Sequence, residues 1–295
     1  MARKIGMDMA LRLLQKTSDP LHLIMSLDAD TLVRDDYLPI VRKVFVSARS
    51  KTGVLSYAHQ IPSDPDIQKA ICAYEIFLRY FLLGLRYAGS PYAFHTIGST
   101  IVTTDDAYLA VRGMNRREAG EDFYFLNKLA KISPIRTIRE TKVYPSARVS
   151  GRVPFGTGAT MDKMTSGRIA EQRFYDPMVF QIVKDWLMLM EQSFSRSEKQ
   201  ILTEARKIHS GLDDFLIARK FPDLWPKIRS NLKDLKTYKS QFHNWFDGFE
   251  TLKLINHLTG EYYPRTAMMP ALKMVLESLG INSTEKVSAD LFSAP

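Results

Sequence analysis

The run His22-Leu23-Ile24-Met25-Ser26-Leu27, closing on Asp28-Ala29-Asp30, constrains this chain more than any other segment. A buried strand that ends in alternate acids places both carboxylates on one face, at the rim of a sheet. Open α/β sheets take their ligands at that carboxyl edge. Paired hard oxygens there suit Mn2+ or Mg2+ carrying a phosphate. The competing reading is structural, because an Asp at a strand end commonly caps a turn or the next helix.

The surrounding pattern alternates. Apolar spacing predicts a helix over 3–17, a strand over 22–27, a helix near 36–47 with acids in its first turn and a short strand over 53–57. A long helix over 67–87 starts behind Asp64-Pro65-Asp66 and stops at Gly89-Ser90-Pro91. A β-rich run over 95–103, a short helix over 105–112, a helix over 123–131 and a strand near 135–144 follow, and a Gly/Pro/Arg-rich loop reaches Gly158. From 166 onward helical periodicity dominates, with Val179, Ile182, Val183, Trp186, Leu187 and Met190 in one stripe and Ser195 with Glu198 as a capping box. The expected domains are therefore an α/β part over 1–165 and an all-helical region over 166–295. Trp186, Trp225, Trp245, Phe242 and Phe246 fit the helical core better than a sugar platform.

Charge follows the same division. The net charge is +9, and residues 1–165 hold 23 basic and 16 acidic side chains against 18 and 16 in the remainder. The excess sits with the acid turn, as expected for a phosphate-bearing partner or an anionic surface. Aromatics interleaved with basic residues are not evident, which argues against nucleic acid. The most apolar stretch, 70–89, is interrupted by Glu75, Arg79 and Arg86, so it reads as a buried or membrane-surface helix rather than a span. The start Met1-Ala2-Arg3-Lys4 lacks the long apolar region of a secretory signal, giving a cytoplasmic expectation that includes the inner face of a membrane. The single cysteine, Cys72, excludes an internal disulfide and is expected to be a small buried hydrophobe. The six histidines show no metal-ligand spacing, and His95 is expected to be a satisfied loop or core residue.

A second acid pair, Glu121-Asp122, follows Gly120, where acids in a first helical turn also serve the dipole. A basic element follows it: Arg136, Arg139, Lys142, Arg148 and Arg152, opposed only by Glu140 and running into Val153-Pro154-Phe155-Gly156-Thr157-Gly158. Guanidinium groups bind phosphate oxygens bidentately, and glycines let backbone amides approach an anion. This order of parts suits sugar transfer from a nucleotide diphosphate: a cation at the first pair neutralises the leaving diphosphate, and a carboxylate of the second deprotonates the acceptor hydroxyl.

Asp28-Ala29-Asp30, then Gly98-Ser99, then Gly120-Glu121-Asp122-Phe123 resembles the inverting GT-A glycosyltransferases of family 2. Tyr92–Ser99, Gly113-Met114-Asn115-Arg116-Arg117 and Arg152–Gly158 resemble a bacterial branch of that family, and the likeness covers roughly residues 2–160. The resemblance implies an α/β, Rossmann-like GT-A sheet and a UDP- or GDP-sugar donor. It implies a glycan or lipid-linked acceptor, in surface polysaccharide synthesis. It also implies Asp30 as metal ligand, Asp28 on the ribose or the metal, Asp122 as general base and Glu121 as acceptor-binding or support residue. Arg3 would lie along the nucleotide, Gly98 and Ser99 under the sugar, and Arg148 and Arg152 over the diphosphate. Members of the family begin with a strand ending in a Pro-x-Tyr-Asn-Glu-like motif, whereas this chain starts inside the helix before the Asp-Ala-Asp strand. The expectation is thus an N-terminally incomplete sheet that is inactive alone. The alternative is a non-catalytic interaction protein retaining part of the fold.

Overall fold

The computed structural model describes residues 2–116, 120–149, 156–166, 173–230 and 232–280. Two compact units divide the chain. Of the described residues, those up to 78 and those between 94 and 166 form the first; residues 79–93 and those between 173 and 280 form the second.

The first unit is α/β. In chain order it contains α1 (Ala2–Leu14), β1 (Leu23–Met25), β2 (Leu32–Val33), α2 (Tyr37–Ala48), β3 (Thr52–Tyr57), the first part of α3 (Pro65–Tyr87), β4 (Ile101–Thr104), α4 (Asp105–Ala110), α5 (Glu121–Ala130), β5 (Arg136–Tyr144) and α6 (Thr157–Thr165). The five strands make one mixed sheet in the order β1-β4-β3-β5-β2. Ile24 faces Thr103 and Gly53 faces Val102 in antiparallel pairs, Val54 faces Thr137 in the parallel pair, and Leu32 faces Tyr144 in a last antiparallel pair. Only β3 and β5 run parallel, and the chain between them passes through α3, β4, α4 and α5.

Tyr37, Val41, Val44 and Phe45 of α2 pack on Leu55, Tyr57, Val102, Ile138 and Val143 of the sheet, all buried. Their spacing along α2 is that of one helical face, and Leu55 and Tyr57 are alternate residues of β3. A smaller cluster of Ala70, Ile71, Ala147 and Met161 ties α3 to α6.

The order of strands has a consequence for the acid turn. β1 and β2 are the two outer strands, so residues 26–31 cross the rim from one edge to the other. Beneath that crossing lie the start of β4 and the carboxyl ends of β3 and β5.

Several local expectations are corrected. Residues 98–100 form a 3₁₀ turn ahead of the strand, because Thr100 folds back to the carbonyl of Ile97. β2 has no apolar-periodic signal: it is two exposed residues held by β5. Cys72 is exposed, its position on α3 falling on the open side of the helix.

The second unit is helical: α7 (Pro177–Glu191), α8 (Glu198–Ile208), α9 (Ser210–Ala218), α10 (Phe221–Arg229), α11 (Leu235–Trp245), α12 (Gly248–Glu261) and α13 (Met268–Ser278), joined by residues 79–93. Asp176 caps α7 ahead of Pro177, and the box before α8 is Ser197 with Gln200, not Ser195 with Glu198. Trp186, Phe221, Trp225, Phe242 and Phe246 fill its core; Trp225 stacks on Phe221 with ring centres 5.6 Å apart.

Candidate functional site

The site lies where residues 26–31 cross the sheet rim. Ser99, at the turn before β4, donates its hydroxyl to Asp28 Oδ2 at 2.7 Å and is met by the Thr31 hydroxyl at 3.0 Å. The Gln60 amide, three residues past β3, donates to the Asp30 carbonyl and to the Tyr144 carbonyl, each at 2.8 Å. One side chain from the end of β3 thus ties the acid turn to the end of β5. These bonds satisfy backbone and side-chain groups that the crossing would otherwise leave unpaired.

Arg3 enters from α1. Its Nη2 lies 2.7 Å from Asp28 Oδ1 and its Nη1 2.7 Å from Glu121 Oε1, so one guanidinium joins the two acid pairs. The fork geometry explains the choice of arginine: two donors point to two carboxylates on separate elements. Gly98 is packed against this group. A β-carbon there would stand 2.4 Å from Arg3 Cζ, so only glycine lets the guanidinium lie flat on the turn. Gly120, at φ +71, turns the chain into α5 in the left-handed region and so delivers Glu121 and Asp122 to the rim.

Electrostatics separate the carboxylates. Burial alone would raise the Asp28 carboxyl, but Arg3 and the Ser99 hydroxyl together hold it below the ordinary range. Burial also opposes the charge on Arg3, and Asp28, Glu121 and Asp122 more than offset it. Asp122 goes the other way. Burial first, and the neighbouring Glu121 charge, push it up to about 6 against the pull of the Phe123 amide and Arg3. A carboxyl poised there can take a proton near neutral pH.

Asp30 lies on the outer side of the turn, its Oδ2 3.0 Å from Arg148 Nε. Among the described residues no three His, Cys, Asp or Glu side chains gather as a metal cage. Asp28 is engaged by Arg3 and Ser99, whereas Asp30 is a half-exposed monodentate partner. Of the two, Asp30 is the carboxylate that could offer an oxygen to a hard divalent cation. The expected sites therefore come together as Arg3, Asp28, Gly98, Ser99, Glu121 and Asp122, with Asp30 and Arg148 beside them. Arg152 lies outside the described residues.

Sequence reasoning missed a polar group beneath this site. His59 Nδ1 lies 2.9 Å from Glu75 Oε2, which also accepts from the His59 amide, and His59 Nε2 lies 3.4 Å from the Thr157 hydroxyl at the start of α6. The Tyr74 hydroxyl bonds Thr157 and Thr160. The signal was available: His59 and Gln60 directly follow β3, whose carboxyl end lies at the same rim as that of β1.

No family model, curated protein or solved structure matches this chain.

Proposed function

We propose that this rim carries inverting glycosyl transfer from a nucleotide-diphosphate sugar, UDP- or GDP-linked, to an acceptor hydroxyl, on a sheet of the GT-A type. The observation that carries the reading is the contrast between Asp122, raised to about 6, and Asp28, held ionised, on either side of one arginine. Two carboxyls held at different proton affinities, one near neutrality and one well below it, assign base and electrostatic roles.

In this reading Asp122 accepts the acceptor's hydroxyl proton as its oxygen forms the bond to the anomeric carbon. The bond from that carbon to the diphosphate breaks, the diphosphate leaving with the electron pair and the configuration inverting. Arg148 pairs with phosphate oxygens in place of Asp30, and Arg3 adds a second guanidinium to the diphosphate while it keeps Glu121. Glu121 and Ser99 hold Arg3 and Asp28 in register. A divalent cation on Asp30 would neutralise the developing charge on the diphosphate. Turnover of UDP- or GDP-sugars with Mn2+ tests the reading; it requires Asp30→Ala and Asp122→Asn each to abolish turnover, and full activity in both sinks it.

A second reading has its own observation. Asp28, Glu121 and Asp30 are already paired with Arg3 and Arg148, so the rim is internally neutralised and could serve as a structural or interaction surface alone. Calorimetry separates the two: UDP with Mn2+ binding to wild type but not to Arg3→Ala excludes it.

A further inference from the structure

The outer face of α1 is apolar where a surface helix is ordinarily polar. Ile5, Met9 and Leu13 follow one another at four-residue spacing and are 51%, 58% and 63% exposed. They form one row about 12 Å long at the helical rise per residue. Met7 is the one fully buried residue of the helix. Ala2, Gly6 and Arg12 share the exposed face, and Lys16 continues it one turn further. The helix's one acid, Asp8, stands to the side, engaged by Lys4 Nζ and by the Tyr108 hydroxyl, each at 2.7 Å.

We propose that α1 seats this unit on an anionic lipid surface. The helix lies in the headgroup plane with Ile5, Met9 and Leu13 entering the acyl boundary and Arg12 and Lys16 on headgroup phosphates. Charge decides the occupant. A second copy's α1 offers Arg12 and Lys16 only Asp8, already held by its own Lys4 and Tyr108, whereas acidic headgroups neutralise them. The inner side of the same helix carries Arg3 into the acid cluster, so seating α1 fixes that cluster at the surface. The inference stands on exposure and charge and does not need the transferase reading.

Co-sedimentation of the full chain with vesicles tests it. Binding is expected to equal parts phosphatidylcholine and phosphatidylglycerol. It should fall about tenfold or more on phosphatidylcholine alone, and likewise in molar salt. Met9→Glu and Arg12→Glu should each lower binding about tenfold at unchanged helical circular dichroism, while Met269→Glu on α13 leaves it intact. Failure of the wild type to bind the acidic vesicles, or equal binding by Met9→Glu, overturns the proposal. A dimer in sedimentation velocity that Met9→Glu dissolves would do the same by assigning the face to a second copy.

Discussion

The guanidinium of Arg3 lies flat against Gly98, with space for a hydrogen and none for a methyl group. That contact joins the first helix of the chain to the turn before β4, and through Arg3 it reaches both Asp28 and Glu121. The far end of an arginine can swing aside, so Gly98→Ala should cost stability less than about 1.5 kcal/mol. It should still cost nucleotide affinity as much as Arg3→Ala does. Added to Arg3→Ala, the glycine substitution should cost nothing more. Calorimetric titration of the four proteins in the cycle reads this, and additive losses would show that the contact does not matter.

Asp122 should trade stability for activity. Its carboxyl is raised to about 6 in the folded protein against an ordinary value near 4, so the fold binds that proton more tightly than the unfolded chain does. Stability is therefore lost as pH rises between those values, and above 6 the ionised group costs about 3 kcal/mol. Asp122→Asn should raise the urea midpoint at pH 8, leave it nearly unchanged at pH 4 and remove turnover. Wild-type turnover should climb through pH 6. A midpoint shift of equal size at both pH values would contradict this assignment.

Gln60 should be worth more than a surface glutamine. Gln60→Leu removes both donors from the Asp30 and Tyr144 carbonyls, leaving two part-buried acceptors short, at about 1–3 kcal/mol. Amides of 28–31 should lose hydrogen-exchange protection before those of β3. Unaltered exchange at the turn would show that the bridge is not what holds it.

In the helical unit, Trp225 stacks on Phe221 and meets Tyr238 edge-on. Trp225→Ala should cost about 3–5 kcal/mol and lower the denaturant midpoint followed by near-ultraviolet circular dichroism. A loss below about 1 kcal/mol would mean that the cavity collapses without penalty.

How much was readable in advance depended on whether local pattern or distant contact decides. β1, α2, β3, α7 and the aromatic core of the second unit follow apolar spacing and were legible, whereas Ser99 joined Asp28 and Glu121 only through the family resemblance. β2 was not, since Leu32 and Val33 are strand only because β5 pairs with them. Cys72 looked buried because its neighbours are apolar, but the helix turns it outward, and composition does not encode rotation. Ser195 and Ser197 compete as caps two residues apart, and the Gln200 side chain, returning to the Ser197 amide, decides between them. His59, Glu75 and Thr157 come from three separate elements, so no spacing announces them.

The crossing of the rim is anchored at both ends in the shortest strands of the sheet: three residues of β1 and two of β2. Such margins open at far lower free energy than the β3–β5 centre. The strap that carries Asp28 and Asp30 is therefore hinged on the two pairings that break first, and it can lift and reseat while the packed interior stays closed. Ligand exchange at this rim would then draw on the sheet's weakest margins, and amides of residues 23–25 and 32–33 should exchange together, as one opening unit.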